Sequence, residues 1–358
     1  MKKILFICPY PLGVAAGQRL KFEPHFKQLR EEGYQITVDS FMSNRLWSIA
    51  SKEGFLIQKI VWTIYGLFKR IKLIFTLKEY DCIYLFMNVF PFGPPILERI
   101  YLKLSKKVIF DIEDNLLTQE TGSINWLASI LKSKNKIKFL IENVDQIISS
   151  SPQLADQCNQ ISNKNNAIFI PPTLEEHRFI PQQLKKHDSK EIVIGWTGTF
   201  SSRAYLDLII PDLEKLYKKK HFKFMVIGNF EMVNKNLDLE VIQWNAHDEI
   251  KQLHKFDIGL YPLPANEWVS GKSGLKALQY MAIGIPAVCT AVGNVKNFIS
   301  HDKDGILIYN SEEWISSLEV LIENSDKRNK IGNNARTKFI KNYSQNTIFK
   351  KYLSAIEG

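Results

Sequence analysis

No stretch of this 358-residue chain is both apolar enough and long enough to cross a bilayer, which takes about 20 such residues. Cysteine is scarce. The four residues Cys8, Cys82, Cys158 and Cys289 stand far apart with no CxxC pair, which excludes a disulfide framework and a zinc-ribbon site. Three of them sit in or beside apolar runs, as small buried hydrophobes of a reducing compartment do. No GxGxxG with an acid about twenty residues on follows the first apolar run, so a nicotinamide dehydrogenase is disfavoured. Low-complexity segments, short-period repeats and nucleic-acid recognition motifs are missing too. Negative charge is in deficit: 37 Asp and Glu stand against 47 Lys and Arg, a formal net charge of +10. That excess favours anionic partners such as phosphates or an acidic lipid surface, and alone selects none of them.

What is present is a rhythm of short apolar runs and longer amphipathic stretches. The opening MKKILFICPYPLGVAAG superficially resembles a secretory signal, but its apolar run ends at Cys8 before Pro9. A run that short fits a first buried strand better than a signal core. Further strand-like runs follow at Ile36–Ser40, Cys82–Phe86, Val108–Asp111, Gln146–Ser149 and Ala167–Ile170. A second series covers Ile192–Thr197, Lys223–Ile227, Glu240–Gln243, Ile258–Tyr261, Ala287–Cys289 and Ile306–Tyr309. Runs apolar on both faces, spaced by helix-length segments, predict parallel strands covered on each side. The expected fold class is therefore α/β, with two Rossmann-like, doubly wound domains. The join falls in the polar stretch Glu175–Lys190, which gives residues 1–178 as the first domain, 179–190 as a linker, 191–342 as the second domain and 343–358 as a C-terminal helix.

Phe55 to Phe75 carries Ile57, Ile60, Val61, Ile64, Phe68, Ile71 and Phe75 at helical spacing, one apolar stripe. Lys59, Lys69 and Arg70 fall on the other side, with Trp62 and Tyr65 on the flank. Two readings fit: a helix lying in an anionic membrane interface, or a helix packed on its own sheet with a solvated basic face.

In open parallel sheets, ligands gather at the carboxyl ends of strands, where loops and helix starts converge. Three turns qualify: CPYPLGVAAGQR with Gly13, Gly17 and Arg19; IGWTGTFSSR with Gly195, Gly198, Ser201, Ser202 and Arg203; and residues 268–288, WVSGKSGLKALQYMAIGIPAV. In the third, Ser270-Gly271-Lys272-Ser273-Gly274 runs directly into a helix. Unpaired N–H groups at a helix start bind anions, and Gly274 would let a phosphate approach the main chain. Lys272, Lys276 and Gln279 are expected along one face, with Leu275, Leu278 and Ala282 toward the core. Gly284 and Pro286 then end the helix.

This segment resembles the nucleotide-sugar motif of glycosyltransferase family 4, retaining transferases of the GT-B fold. The resemblance rests on Gly274, on Met281-Ala282-Ile283-Gly284-Ile285-Pro286, on Val292-Gly293 through Phe298-Ile299, on HDKDGILI ending at Ile308, and on IFIPPTLEEHRF around Pro171. It implies two Rossmann-like domains facing across a cleft, with the C-terminal helix crossing back to domain one. It implies donor contacts from Gly198, Thr199, Ser273, Gly274, Leu275, Lys276 and Gln279. The chain also departs from the motif: Gly271 and Gln279 stand where the family has two glutamates. Glutamine still hydrogen-bonds a ribose hydroxyl, and Glu267 or Asn266, in the preceding loop, would reach the sugar.

The expected reaction moves a sugar from a nucleotide diphosphate donor to a saccharide or lipid-linked saccharide, in surface polysaccharide or glycan synthesis. No DxD-type pair is placed for a metal and no cofactor is called for. The charge on the leaving diphosphate would be met by Arg203, Lys272, Lys276 and the helix-start amides. With no carboxylate nucleophile in evidence, retention implies same-face attack assisted by the leaving phosphate. The acceptor side is assigned to Gly13, Gly17 and Arg19 with the acidic turn Asp111, Glu113 and Asp114, although Asp114 also fits a helix cap. The expected place is the cytoplasm, or the inner face of the membrane if the 55–75 stripe docks there. No nucleic acid partner is expected. A nucleotide-sugar epimerase or hydrolase of the same fold, and a degenerate non-catalytic nucleotide-sugar-binding subunit, are the competing readings.

Overall fold

Each of the twelve apolar runs becomes a strand. The structure, a computed structural model, describes residues 1–50, 52–113, 134–182, 191–266, 269 and 271–358. The first six strands are β1 (Lys3–Cys8), β2 (Gln35–Ser40), β3 (Cys82–Phe86), β4 (Val108–Ile112), β5 (Gln146–Ser149) and β6 (Ala167–Phe169). The second six are β7 (Val193–Gly198), β8 (Lys223–Gly228), β9 (Leu239–Gln243), β10 (Ile258–Tyr261), β11 (Ala287–Thr290) and β12 (Ile306–Ile308). They form two six-stranded sheets, ordered β2-β1-β3-β4-β5-β6 and β12-β11-β10-β7-β8-β9. Every pairing within them is parallel.

The chain divides into two compact units. One comprises Met1–Thr173, Ser270–Lys272 and Ile348–Gly358; the other Leu174–Val269 and Ser273–Thr347. In the first, period-two alternation sends Leu5, Ile7, Leu85 and Phe110 to one face of the sheet and Ile4, Phe6, Tyr84 and Phe86 to the other. The end of the C-terminal helix (Gln345–Glu357) belongs to this unit: Ile348, Phe349, Tyr352, Ala355 and Ile356 complete the second face. Lys107 Nζ caps that helix by donating to the carbonyls of Ala355 and Ile356 at 3.0 and 2.9 Å. In the second unit, Ile194, Trp196, Phe224, Val226, Ile258, Leu260 and Val288 build the core. All four cysteines are free and buried, and burial pushes the thiols of Cys8, Cys82 and Cys158 up to about 12.

Both sheets are doubly wound, and each has one point where strand order reverses. In the first it lies between β1 and β3; in the second, between β7 and β10. Crevices at such points, outside the carboxyl ends of the strands, are where α/β sheets bind ligands. The 183–190 part of the expected linker lies outside the described residues.

The amphipathic stretch forms helix α1 (Leu56–Leu73), and it is turned apolar side out. Ile57 is 77% exposed, Ile60 50%, Ile64 46%, Phe68 65% and Phe75, just beyond the helix, 84%. The side that packs inward carries Gly66 and Arg70. A Cβ on Gly66 would lie 2.7 Å from the Phe41 ring, so only glycine lets the helix sit this close. Arg70 Nη1 donates to Asp39 Oδ1 at 2.5 Å and Nη2 to the Cys8 carbonyl at 2.8 Å. Lys69 also pairs with Asp39, at 3.0 Å. This corrects the reading of a stripe packed on its own sheet with a solvated basic face: the residues that anchor α1 are a glycine and an ion pair, and the stripe faces outward.

Candidate functional site

The switch point of the second sheet is flanked by the loops after β7 and β10, and most of the donor-side residues expected from sequence lie on them. After β7, Thr199 begins a capping box: Ser202 Oγ accepts from the Thr199 amide at 3.1 Å and donates to its carbonyl at 3.0 Å. Asn229 Oδ1 accepts from the Phe200 amide at 2.7 Å and fixes this turn to the end of β8. Gly198 is required by packing, since a Cβ there would come within 2.2 Å of the Trp196 ring. Arg203 opens the following helix; its guanidinium donates to the Glu231 carbonyl at 3.3 Å and lies 3.9 Å from Asp207.

After β10, the chain leads from Pro262 to α3 (Leu275–Ala282), α2 being the short helix Glu249–Leu253. Asn266 Oδ1 accepts from the Val269 amide at 3.1 Å, so this side chain holds the loop. Glu267 lies outside the described residues. Gly271 is buried and Lys272 and Ser273 are half-buried. Asn294 Nδ2 donates to the Ser273 carbonyl at 3.0 Å and sets the peptide that enters α3.

Gly274 is the N-cap of α3, in the left-handed region at φ 77°. A Cβ there would also come within 2.6 Å of the Phe298 ring. The glycine is therefore demanded by backbone conformation and by Phe298, a different reason from the open phosphate approach expected from sequence. Leu275 and Lys276 are half-buried, and everything from Ala277 to Ala282 is buried. Lys276 Nζ lies 4.4 Å from the Trp196 ring centroid, 5.4 Å from that of Tyr261 and 3.5 Å from Ser202 Oγ. It thus spans from α3 to the turn after β7, its charge held over two aromatic faces.

Gln279 departs from the expectation of a surface amide beside Lys272 and Lys276. It is 4% exposed, and its Nε2 donates to Glu249 Oε1 at 3.2 Å. Trp244 Nε1 donates to the same oxygen at 3.3 Å. A carboxylate only accepts, so the amide nitrogen must face Glu249 and the Gln279 carbonyl oxygen faces the other way. Sequence reading missed Glu249, which lies thirty residues away on a different element.

The first unit's switch point is flanked by the loops after β1 and β3. Glu23 shapes the former: its two oxygens accept from the Gly13 amide at 2.9 Å and from Gln18 Nε2 at 3.0 Å, while Gln18 also donates to the Tyr10 carbonyl at 3.0 Å. Burial holds the Glu23 carboxyl above the usual range, against the hydrogen bonds and the nearby Arg19 charge that lower it. Gly17 and Glu113 meet, since a Cβ on Gly17 would overlap the Glu113 carboxylate at 2.0 Å. Asp114 lies outside the described residues.

Asp111 is a correction. It is fully buried, ion-paired with Lys21, itself 3% exposed, and accepts from the Tyr84 hydroxyl. Burial raises its carboxyl despite both partners. With its oxygens already engaged inside the unit, it orders the interior and does not face an acceptor.

Among the described residues, no group of three or more His, Cys, Asp or Glu side chains is placed to hold a metal ion. No helix among them is long and apolar enough to cross a membrane.

Residues 178–338 match the family Glycosyl transferases group 1. The matched stretch lies almost wholly in the second unit. The "Uncharacterized glycosyltransferase MJ1607" of Methanocaldococcus jannaschii is 25% identical over 174 residues, 45% of this chain and 43% of that one. The chain therefore spans less than half the length of that relative. Among solved structures, a glycosyltransferase from Rickettsia africae superposes with a TM-score of 0.71 at 15% identity, over 99% of this chain and 98% of that one. Anabaena HepE in complex with UDP-glucose gives a TM-score of 0.66 at 13% identity over the full length of both chains. At such identities these likenesses speak to fold, which is that of the two-sheet, GT-B-like glycosyltransferases.

Proposed function

We propose that the chain is a retaining glycosyltransferase of the family 4 type, acting from a nucleoside diphosphate sugar. The observation that carries this is one place in the second unit. There the turn after β7, the start of α3 and the Lys276 ammonium converge at the switch point, Lys276 Nζ lying 3.5 Å from Ser202 Oγ. A helix start and fixed cations suit a diphosphate. The group 1 match over the same residues supports the same chemistry.

In this reading the diphosphate sits on the amides at Ser273, Gly274 and Leu275. Lys272, Lys276 and Arg203 meet the charge that develops as the sugar–phosphate bond breaks. Fixed donors aimed at developing charge are commonly the largest catalytic contribution. The acceptor hydroxyl attacks the same face of the anomeric carbon and gives its proton to the departing phosphate oxygen, so configuration is retained and no step passes through a metal. Uridine diphosphate sugars are the first donors to test, because the Anabaena neighbour holds UDP-glucose. The acceptor is a saccharide or lipid-linked saccharide of surface polysaccharide or glycan synthesis, received by the first unit near Gly13, Gly17, Arg19 and Glu113.

A second reading rests on Gly271, which is buried and places no carboxylate where the resembling motif has a glutamate. It makes the chain a nucleotide-sugar-binding subunit without activity of its own. A thermal-shift screen with nucleoside diphosphates and their sugars tests what the two share, since stabilisation follows RT ln(1 + [L]/Kd). The transferase reading requires stabilisation, its loss in Lys272→Ala, and retained configuration in the product by NMR. Stabilisation without turnover on any acceptor supports the second reading, and no stabilisation by any nucleotide contradicts both.

A further inference from the structure

Helix α1 sits against the hydrophobic effect. Its packed side carries Gly66 and the Arg70–Asp39 ion pair, while Ile57, Ile60, Val61, Ile64, Phe68 and Ile71 form a continuous exposed stripe. At 18 residues the helix is about 27 Å long. An apolar face of that length is larger than isolated surface hydrophobics explain and marks a surface that something covers.

The charges around the stripe select the occupant. From Gly54 to Lys78 the sequence has no Asp or Glu, and exposed cations border the stripe at Arg45, Lys52, Lys72 and Lys78, against only Glu53 and Glu79 at the ends. Two aromatic side chains with polar tips, Trp62 and Tyr65, stand on the flank of the same helix with ring centroids 5.5 Å apart, Tyr65 half exposed. Tyr and Trp favour the headgroup level of a bilayer. A second copy of the chain would set one acid-free, lysine-bordered helix against another, with like charges along the seam. Anionic lipid supplies the opposite charge.

We propose that α1 docks the first unit on an anionic lipid surface, with Ile57, Ile60, Ile64 and Phe68 immersed at the headgroup–acyl boundary and Lys72 and Lys78 at the headgroups. Arg70 and Gly66 are the anchors that present the helix in this orientation. This goes beyond the sugar-transfer reading and stands independently of it, because the test involves no nucleotide.

The test is flotation of the full chain with vesicles of phosphatidylcholine alone and of phosphatidylcholine mixed with phosphatidylglycerol. The expected result is partitioning onto the anionic vesicles that weakens with salt, is lost in the double variant Ile64→Glu/Phe68→Glu, and falls about fivefold in Lys72→Ala. Because these side chains are exposed, both variants keep the wild-type melting temperature, which distinguishes lost docking from lost folding. The proposal is overturned if the wild-type chain fails to float with anionic vesicles, or if the double variant floats equally well. It is also overturned if light scattering shows a dimer that the double variant dissociates while vesicles bind neither form.

Discussion

Gln279 Nε2 donates to Glu249 Oε1 at 3.2 Å, inside the second unit, where both residues are nearly inaccessible. The pair fixes which end of the amide is free. An acceptor is thereby retained at a position where the resembling motif carries a carboxylate, and the negative charge moves to another helix. Glu249→Ala leaves the Gln279 amide and the Trp244 indole without this acceptor, a loss of about 1–3 kcal/mol. Gln279→Glu sets two carboxylates face to face and is also destabilising. The exchange Glu249→Gln/Gln279→Glu restores one donor and one acceptor and recovers most of the loss. Denaturant unfolding of the wild type, Glu249→Gln, Gln279→Glu and the exchange measures this coupling; strictly additive losses would contradict it.

Asp111 is expected to behave as an interior residue. Asp111→Ala strands the Lys21 ammonium, 3% exposed, in the core. Removing one partner of a buried pair costs about 3–5 kcal/mol. Unfolding in urea should show this loss directly. A variant with wild-type stability and a selective defect in turnover would return Asp111 to the acceptor side.

At Gly274, alanine must adopt φ 77° and displace the Phe298 ring. The backbone part alone costs about 1–2 kcal/mol. Gly274→Ala therefore lowers stability by at least that amount, and Gly274→Ala/Phe298→Leu recovers only the portion due to the ring clash. Equal stability of Gly274→Ala and wild type would show that the turn is not held in the left-handed region.

His25 gives the first unit a sensitivity to acid. It is 1% exposed, its ring contacts Thr173 Oγ1 at 2.9 Å and Gln28 Oε1 at 3.2 Å, and burial lowers its pKa to about 4 from 6.5. The unfolded chain binds a proton below about pH 6.5 and the folded chain does not until about pH 4, so this stability is present above pH 6.5 and is lost as pH falls between the two values. The loss amounts to about 3 kcal/mol in all. His25→Gln should flatten that part of the stability–pH profile; an unchanged slope would assign the acid sensitivity to other groups.

All twelve strands were legible in the sequence because buried parallel strands are apolar on both faces and need no partner to be recognised. Helix α1 was legible as a helix but not in its orientation. A stripe gives the period, whereas the anchors, Gly66 on Phe41 and Arg70 on Asp39, are pairings between distant segments. The same limit hid Glu249 from Gln279 and made Asp111 look available, since the end of a strand is visible in sequence and Lys21 beside it is not. Gly274 was singled out correctly as a glycine that matters, but the ring of Phe298 that demands it lies twenty-four residues on.

The account turns on where a nucleoside diphosphate binds, and a crystal structure of the chain with UDP tests that most directly. The account predicts phosphate oxygens within hydrogen-bonding distance of the amides at Gly274 and Leu275, with the Lys272 ammonium beside them. A nucleotide seated away from the start of α3, or protein side chains filling that place with UDP bound elsewhere, would contradict it.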